Sequence, residues 1–355
     1  GHPYSDPDGN DAYFGPLMKE LPNLGRALHT DCGVATAREL CRDGRSFSLH
    51  GWGNPLFAAG VVFVRWCPAR DLLGTSEHWL LRRAAAYENS GGALATTRWQ
   101  THCQARWIAA MKPAVIAWPW ENHPWERAIV RVARRFGVSS IGYQHAVIGR
   151  HQFNFSPKSN PDGDQCLPDK IMCNGPAYRD QLVELGHDLA RLEIGGAFRV
   201  GRESRAFSDP AGPVYVALSS ITPISRQMLD AVSVEDLAGI NFVVKDHPLY
   251  PIAVTETGNL KRTSLTIPES GGLRAVLYST GTTGLEGLLA GVPTYRFLPA
   301  DRIAPDILPG GVSVSERTAA EIVDVLTVLE PSQPIEWATI MAPVDINLWR
   351  SALAR

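Results

Sequence analysis

No run in this chain approaches the ~20 consecutive apolar residues that a membrane-spanning helix needs. No signal peptide is visible, and the opening Gly1-His2 lacks an initiator Met, which reads as an excised or processed piece. A charge excess is missing too. Thirty-four Lys and Arg stand against 36 Asp and Glu, a formal net of -2, so nothing advertises nucleic acid or a strongly acidic partner. The six cysteines (Cys32, Cys41, Cys67, Cys103, Cys166 and Cys173) form no CxxC and no Cys/His pair spacing. They read as free thiols in a reducing cytoplasm, without zinc. Internal repeats and low-complexity tracts are absent. What remains is a globular chain of 355 residues, 45% hydrophobic, long enough for two domains. The expected location is cytoplasmic, with peripheral association at the inner face of the membrane left open.

Ten tryptophans are many for this length, and Trp99, Trp107, Trp118, Trp120 and Trp125 cluster, as a thick core or an aromatic-lined cleft would require. Ala114–Trp118 reads as a buried strand. It breaks into Glu121-Asn122-His123-Pro124, and a helix follows with Trp125, Ile129, Val132 and Phe136 on one stripe. Pro124 suits the first helical position, with His123 or Asn122 as cap and Glu126 placed to close a capping box. After Gly137 comes the strand Ser139–Tyr143, then Gln144-His145. This β-α-β unit predicts two parallel strands. Glu121, His123 and His145 then lie beyond strand carboxyl ends, where ligands of parallel sheets sit.

The second half is organised around Ser279-Thr280-Gly281-Thr282-Thr283-Gly284-Leu285-Glu286. A strand (Ala275–Tyr278) leads in and a helix (Leu285–Ala290) leads out. Gly281 and Gly284 allow close backbone approach, and Ser279, Thr280, Thr282 and Thr283 offer hydroxyls, as a phosphate site needs. A plain capped strand–turn–helix connection is the competing reading. Further strands are expected at Ala58–Val64, Lys170–Cys173, Val214–Leu218, Asn241–Lys245, Ser264–Ile267, Thr294–Phe297 and Gly311–Val314. Helices are expected at Ser76–Tyr87, Thr97–Met111, Gly175–Leu185, Ile224–Leu237 and Thr318–Leu329. The expected division is an acceptor-side Rossmann-like domain over 1–200, a linker over 201–212, and a nucleotide-sugar domain over 213–342. Residues 343–355 form a helix that crosses back.

Lys245-Asp246-His247-Pro248, the Ser279–Gly287 turn and Gly291-Val292-Pro293 resemble the C-terminal half of a GT-B glycosyltransferase. The His-Pro pair followed by a Ser/Thr turn is similar to enzymes using cytidine-activated donors: bacterial sialyltransferases, Kdo transferases and CDP-glycerol polymerases. Trp120–Glu126, Ile141–His145 and Leu167–Lys170 resemble bacterial surface-carbohydrate (capsule and lipopolysaccharide) biosynthesis proteins; the likeness covers roughly 110–300.

The resemblance implies an α/β fold of two Rossmann-like domains facing a cleft. It implies a metal-independent, inverting transfer from a nucleotide sugar, CMP-linked and of Kdo or nonulosonic type, to a glycan or glycolipid. His247, aimed by Pro248, and Ser279 and Thr280 would contact the nucleotide, and Glu286 the ribose. Arg199 and Lys245 read as phosphate partners or as surface cations. Glu121 reads as the general base, or as a cap or partner of an arginine; His123 as a catalytic group or a simple N-cap; and His145 as base, ligand or core histidine. Asp162-Gly163-Asp164 has DxD spacing but sits in a Pro/Gly loop, so no metal is expected. A UDP-GlcNAc 2-epimerase-like enzyme and a non-catalytic nucleotide-sugar or glycan-binding module of a larger synthase are the alternatives.

Overall fold

The computed structural model describes residues 5–29, 32–65, 76, 78–90, 92–160, 162–199, 201, 204–248, 250–330 and 335–354. Cys67, Gly1-His2 and Arg202 in the expected linker lie outside them. The chain divides into two compact units. Unit 1 takes 1–144, 160–172 and 345–355; unit 2 takes 145–159 and 173–344. Among the described residues no helix is long and apolar enough to cross a membrane.

In unit 1, helix α1 (Pro55–Val61) stands where a buried strand over Ala58–Val64 is expected. Asn54 caps it by accepting the Leu56 N–H at 2.8 Å, and Pro55 opens the first turn, so local helix-start chemistry overrides an apolar run that periodicity alone leaves ambiguous. Helix α2 spans Ala93–Met111 and stops on Lys112 in the left-handed region, before Pro113. Strand β1 (Val115–Pro119), helix α3 (Pro124–Arg135) and strand β2 (Ser139–Gln144) form the expected unit. β1 and β2 are parallel, with Ala117 opposite Ile141. Strand β3 (Lys170–Cys173) lies beside β2 in the same sheet. Of the clustered tryptophans, Trp107, Trp118 and Trp120 are buried, and Trp99 and Trp125 are half-buried. The C-terminal helix Ile346–Leu353 sets Trp349 edge-on to Phe14 and Tyr143, with ring centroids 5.8 and 5.5 Å away.

Unit 2 holds a six-stranded sheet of β4 (Val214–Ala217), β5 (Phe242–Lys245), β6 (Leu260–Arg262), β7 (Ala275–Tyr278), β8 (Thr294–Phe297) and β9 (Ser315–Arg317). Its spatial order is β6-β5-β4-β7-β8-β9, and all five pairings are parallel. This is the 3-2-1-4-5-6 order of doubly wound nucleotide-binding sheets. The central strands β4, β7 and β8 are buried at every residue, as strands covered on both faces of a parallel sheet are. Helices α4 (Thr222–Val232), α5 (Thr283–Leu289) and α6 (Ile322–Thr327) complete the alternation. Ile224, Met228, Phe242, Val244, Leu277 and Ile322 share one core. The two outer strands differ from expectation: β6 lies at Leu260–Arg262 rather than Ser264–Ile267, and β9 at Ser315–Arg317 rather than Gly311–Val314.

Candidate functional site

The order of the unit 2 sheet reverses between β4 and β7. Such switch points open a crevice beyond the strand carboxyl ends, where ligands of this fold class bind. Ser219 follows β4 and Thr280 follows β7, and their hydroxyls lie 2.7 Å apart. Ser219 also accepts the Ile221 N–H, at 3.1 Å, and its carbonyl accepts the Ser225 hydroxyl. The reversal point is therefore lined by hydroxyls tied to both flanking strands. Sequence reasoning passed over Ser219, because its role depends on a strand 61 residues away.

The other residues of the turn divide by task. Ser279 is fully buried and donates its hydroxyl to the Phe297 carbonyl at 2.9 Å, so it anchors the turn to β8. Buried Arg296 of β8 donates from Nε to the Ser279 carbonyl at 3.3 Å and pairs with Glu316. It is a second positioning group the sequence reading missed. Gly281 sits at φ +138°, a conformation side-chain-bearing residues rarely adopt. Gly284 has a different reason: a Cβ there would come within 2.2 Å of the Tyr278 ring. Thr282 is exposed, and its hydroxyl reaches Glu286 Oε1 at 3.5 Å; Thr283 is half-buried. Burial raises the Glu286 carboxyl, opposed by Thr282 and by the charge of exposed Arg199. His247 ends the stretch after β5, half-buried, with its ring 5.5 Å from Tyr250; burial lowers its proton affinity and favours the neutral ring. Pro248 is exposed. Lys245 donates Nζ to the Ser264 carbonyl.

In unit 1 a second cluster stands at the β1–α3 junction. Glu121 Oε2 is 2.8 Å from His123 Nε2, both side chains partly open to solvent. The Glu121 hydrogen bond raises the imidazole's proton affinity, against the opposing effect of burial. Beneath them lies Glu126, only 1% exposed. It accepts the Trp118 indole N–H at 3.0 Å and the backbone N–H groups of Glu121, Asn122 and His123 at 3.0 to 3.2 Å. Burial pushes its carboxyl up to about 7, opposed by those donors. The carboxylate set against an indole is thus Glu126, where the sequence placed Glu121. Asn122 takes φ +61°, which bends the chain so that three successive amides converge on one carboxyl. His145, also buried, begins the first segment of unit 2. Asp162 pairs with Arg131, and among the described residues no group of three His, Cys, Asp or Glu could hold a metal.

No protein-family model matches the chain, and no curated protein does. Among solved structures it is similar to the UDP-GlcNAc 2-epimerase of Neisseria meningitidis bound to UDP-GlcNAc, at 11% identity and TM-score 0.45, over 73% of this chain and 81% of that one. It is similar to the calicheamicin glycosyltransferase CalG4 at 15% identity and TM-score 0.41, over 74% and 70%. It spans 61% of a Listeria monocytogenes structure of the epimerase kind, which covers 57% of this chain at 12% identity and TM-score 0.39.

Proposed function

We propose that this protein is a GT-B type enzyme that handles a nucleotide-activated sugar and transfers it to a glycan or glycolipid. The observation carrying the proposal is the Ser219–Thr280 hydroxyl pair at the switch point of a 3-2-1-4-5-6 parallel sheet. In this reading Thr280, Thr282 and the Gly281 turn hold the donor's phosphate. Neutral His247 offers it a hydrogen bond, and Glu286 accepts the ribose hydroxyls. Arg199 and Lys245 add positive charge. Ser279 supports the turn from beneath. The favoured donor is CMP-linked, of Kdo or nonulosonic type, and the favoured setting is surface-glycan synthesis at the cytoplasmic side. Glu121 takes the acceptor's proton. The acceptor oxygen then bonds to the anomeric carbon, and the bond to phosphate breaks with its electron pair leaving on the nucleotide. His123 orients Glu121, and His145 is assigned to acceptor binding. Charge stabilisation of the leaving phosphate comes from N–H, hydroxyl and imidazole donors, without a metal.

Calorimetric titration with CMP, CDP, UDP and GDP tests the donor class. CMP is expected to bind tightest, and Thr280→Val and His247→Ala each to weaken it. Tightest binding of UDP, with epimerisation of UDP-GlcNAc, would replace the transferase reading by an epimerase. For the base, Glu121→Gln is expected to retain nucleotide affinity and lose roughly 10²-fold or more in transfer rate. Full activity in that variant removes Glu121 from the reaction. EDTA is expected to leave the rate unchanged, and a metal requirement overturns the mechanism.

A further inference from the structure

Helix α3 carries Arg127, Arg131 and Arg135 four residues apart, one above the next on a single face and about 6 Å apart along the axis. Like charges at this spacing work against a helix, so the stripe costs the fold unless something offsets it. Offsets inside the protein are partial. Arg131 pairs with Asp162, and Arg127 donates to Asn122 Oδ1 at 3.3 Å. Arg135, and Arg98 on neighbouring α2, have no ion pair or hydrogen bond among the described residues. All four arginines line one groove of about 620 Å³, in which Asp162 is the one acid. Arg134, which does not line the groove, is by contrast engaged by the Gln165 and Leu167 carbonyls.

The groove has two further properties. Its wall includes the Phe57 ring stacked on His102, centroids 4.0 Å apart and planes 6° from parallel, a flat surface on which a sugar face can rest. His102 Nε2 is buried there without a hydrogen-bond partner among the described residues. The groove is also lined by Pro124, and the residue before Pro124 is His123, in contact with Glu121.

We propose that this groove binds an acidic oligosaccharide, with its carboxylates on the arginine ladder and the chain running along α3 toward Glu121–His123. That its end is the acceptor rests on the transferase reading above; the binding itself does not. The spacing of the ladder suits a linear chain with one charge per repeat rather than a single small anion. A nucleic acid is disfavoured, because its binding depends on a broad positive field and this chain has a net charge of -2.

The test is titration of the full chain, without nucleotide, using oligogalacturonate as the carboxylate probe. Its neutral methyl ester, a single-stranded DNA oligomer and phosphatidylglycerol vesicles are the comparison arms. Oligogalacturonate is expected to bind, with affinity falling as salt rises. The double variant Arg98→Gln/Arg135→Gln is expected to bind it about tenfold more weakly, since two charge-assisted contacts are lost. Neither side chain has a fold partner, so the variant's melting temperature is expected to hold. Arg134→Gln, outside the groove, is expected to leave affinity unchanged. Equal binding of the neutral ester, tighter binding of DNA, attachment to vesicles, or an unaffected double variant each overturns the proposal. A chain that binds the acid but transfers nothing sinks the transferase reading alone. One that transfers to a neutral acceptor without binding the acid sinks this inference alone.

Discussion

Glu126 is surrounded by donors that favour its charged form and by burial that disfavours it, and burial wins, lifting the carboxyl from 4.5 to about 7. Folding therefore gives this group a proton that the unfolded chain has released between those two values. Its contribution to stability is full below about pH 4.5 and is lost as pH rises toward about 7. His123 is also raised, through Glu121, so its contribution declines on the alkaline side in the same sense. Glu126→Gln removes the first effect and turns an amide NH₂ toward N–H donors. The variant is expected to be less stable in acid by about 1–3 kcal/mol, with the gap narrowing as pH approaches 7. Urea unfolding of both proteins across that window measures it; a gap independent of pH would show that Glu126 does not titrate there. Its place one turn into α3 was legible from the sequence as the N3 member of a capping box. Its burial against Trp118 was not, because that depends on Asn122 adopting a left-handed conformation in the loop between them.

At the scale of elements, the strands foreseen correctly and those misplaced in the unit 2 sheet have different physics. β4, β7 and β8 are buried along their length; β4 and β7 read as unbroken apolar runs, and β8 stands out by its aromatic Tyr295 and Phe297. The two misplaced strands, β6 and β9, are the sheet's edges. Edges carry charge to discourage further pairing, and Lys261, Arg262, Glu316 and Arg317 fall there. The more apolar neighbouring stretches drew the strand assignment instead. One of them supplies Ile267, which is buried in a short turn capped by Thr266 and Glu269. Helix α5 was foreseen, but the part its glycines play was not. Gly284 and Gly287 let the helix lie directly on Tyr278 and Thr294. Gly284→Ala is expected to cost about 1–3 kcal/mol through overpacking. Tyr278→Phe is expected to be neutral or stabilising by up to about 1 kcal/mol, because its buried hydroxyl has no partner among the described residues. Thermal melts of both variants check the pair. A tolerated Gly284→Ala would mean that the helix does not pack this closely.

At the scale of the whole molecule, the path of the chain matters more than its composition. Unit 1 is assembled from three separate stretches, the last of them 345–355. The apolar spacing of Ile346, Trp349 and Leu353 marks an amphipathic helix in the sequence, yet what that helix covers depends on residues more than two hundred positions earlier. Trp349 is fully buried, with Tyr143 of β2 and Phe14 around it. Tyr143 is fully buried as well and belongs to the strand whose partner, β1, leads into the Glu121–Glu126 cluster. Support for that cluster thus comes from the far end of the chain. Trp349→Ala leaves a cavity that these two rings cannot close, and the expected loss is about 3–5 kcal/mol. Trp349→Phe, which keeps an aromatic ring in the same place, is expected to recover much of it. Denaturant unfolding followed by tryptophan fluorescence and by circular dichroism measures both. A cost below about 1 kcal/mol for the alanine variant would mean that the C-terminal helix is an appendage to unit 1 rather than part of its core.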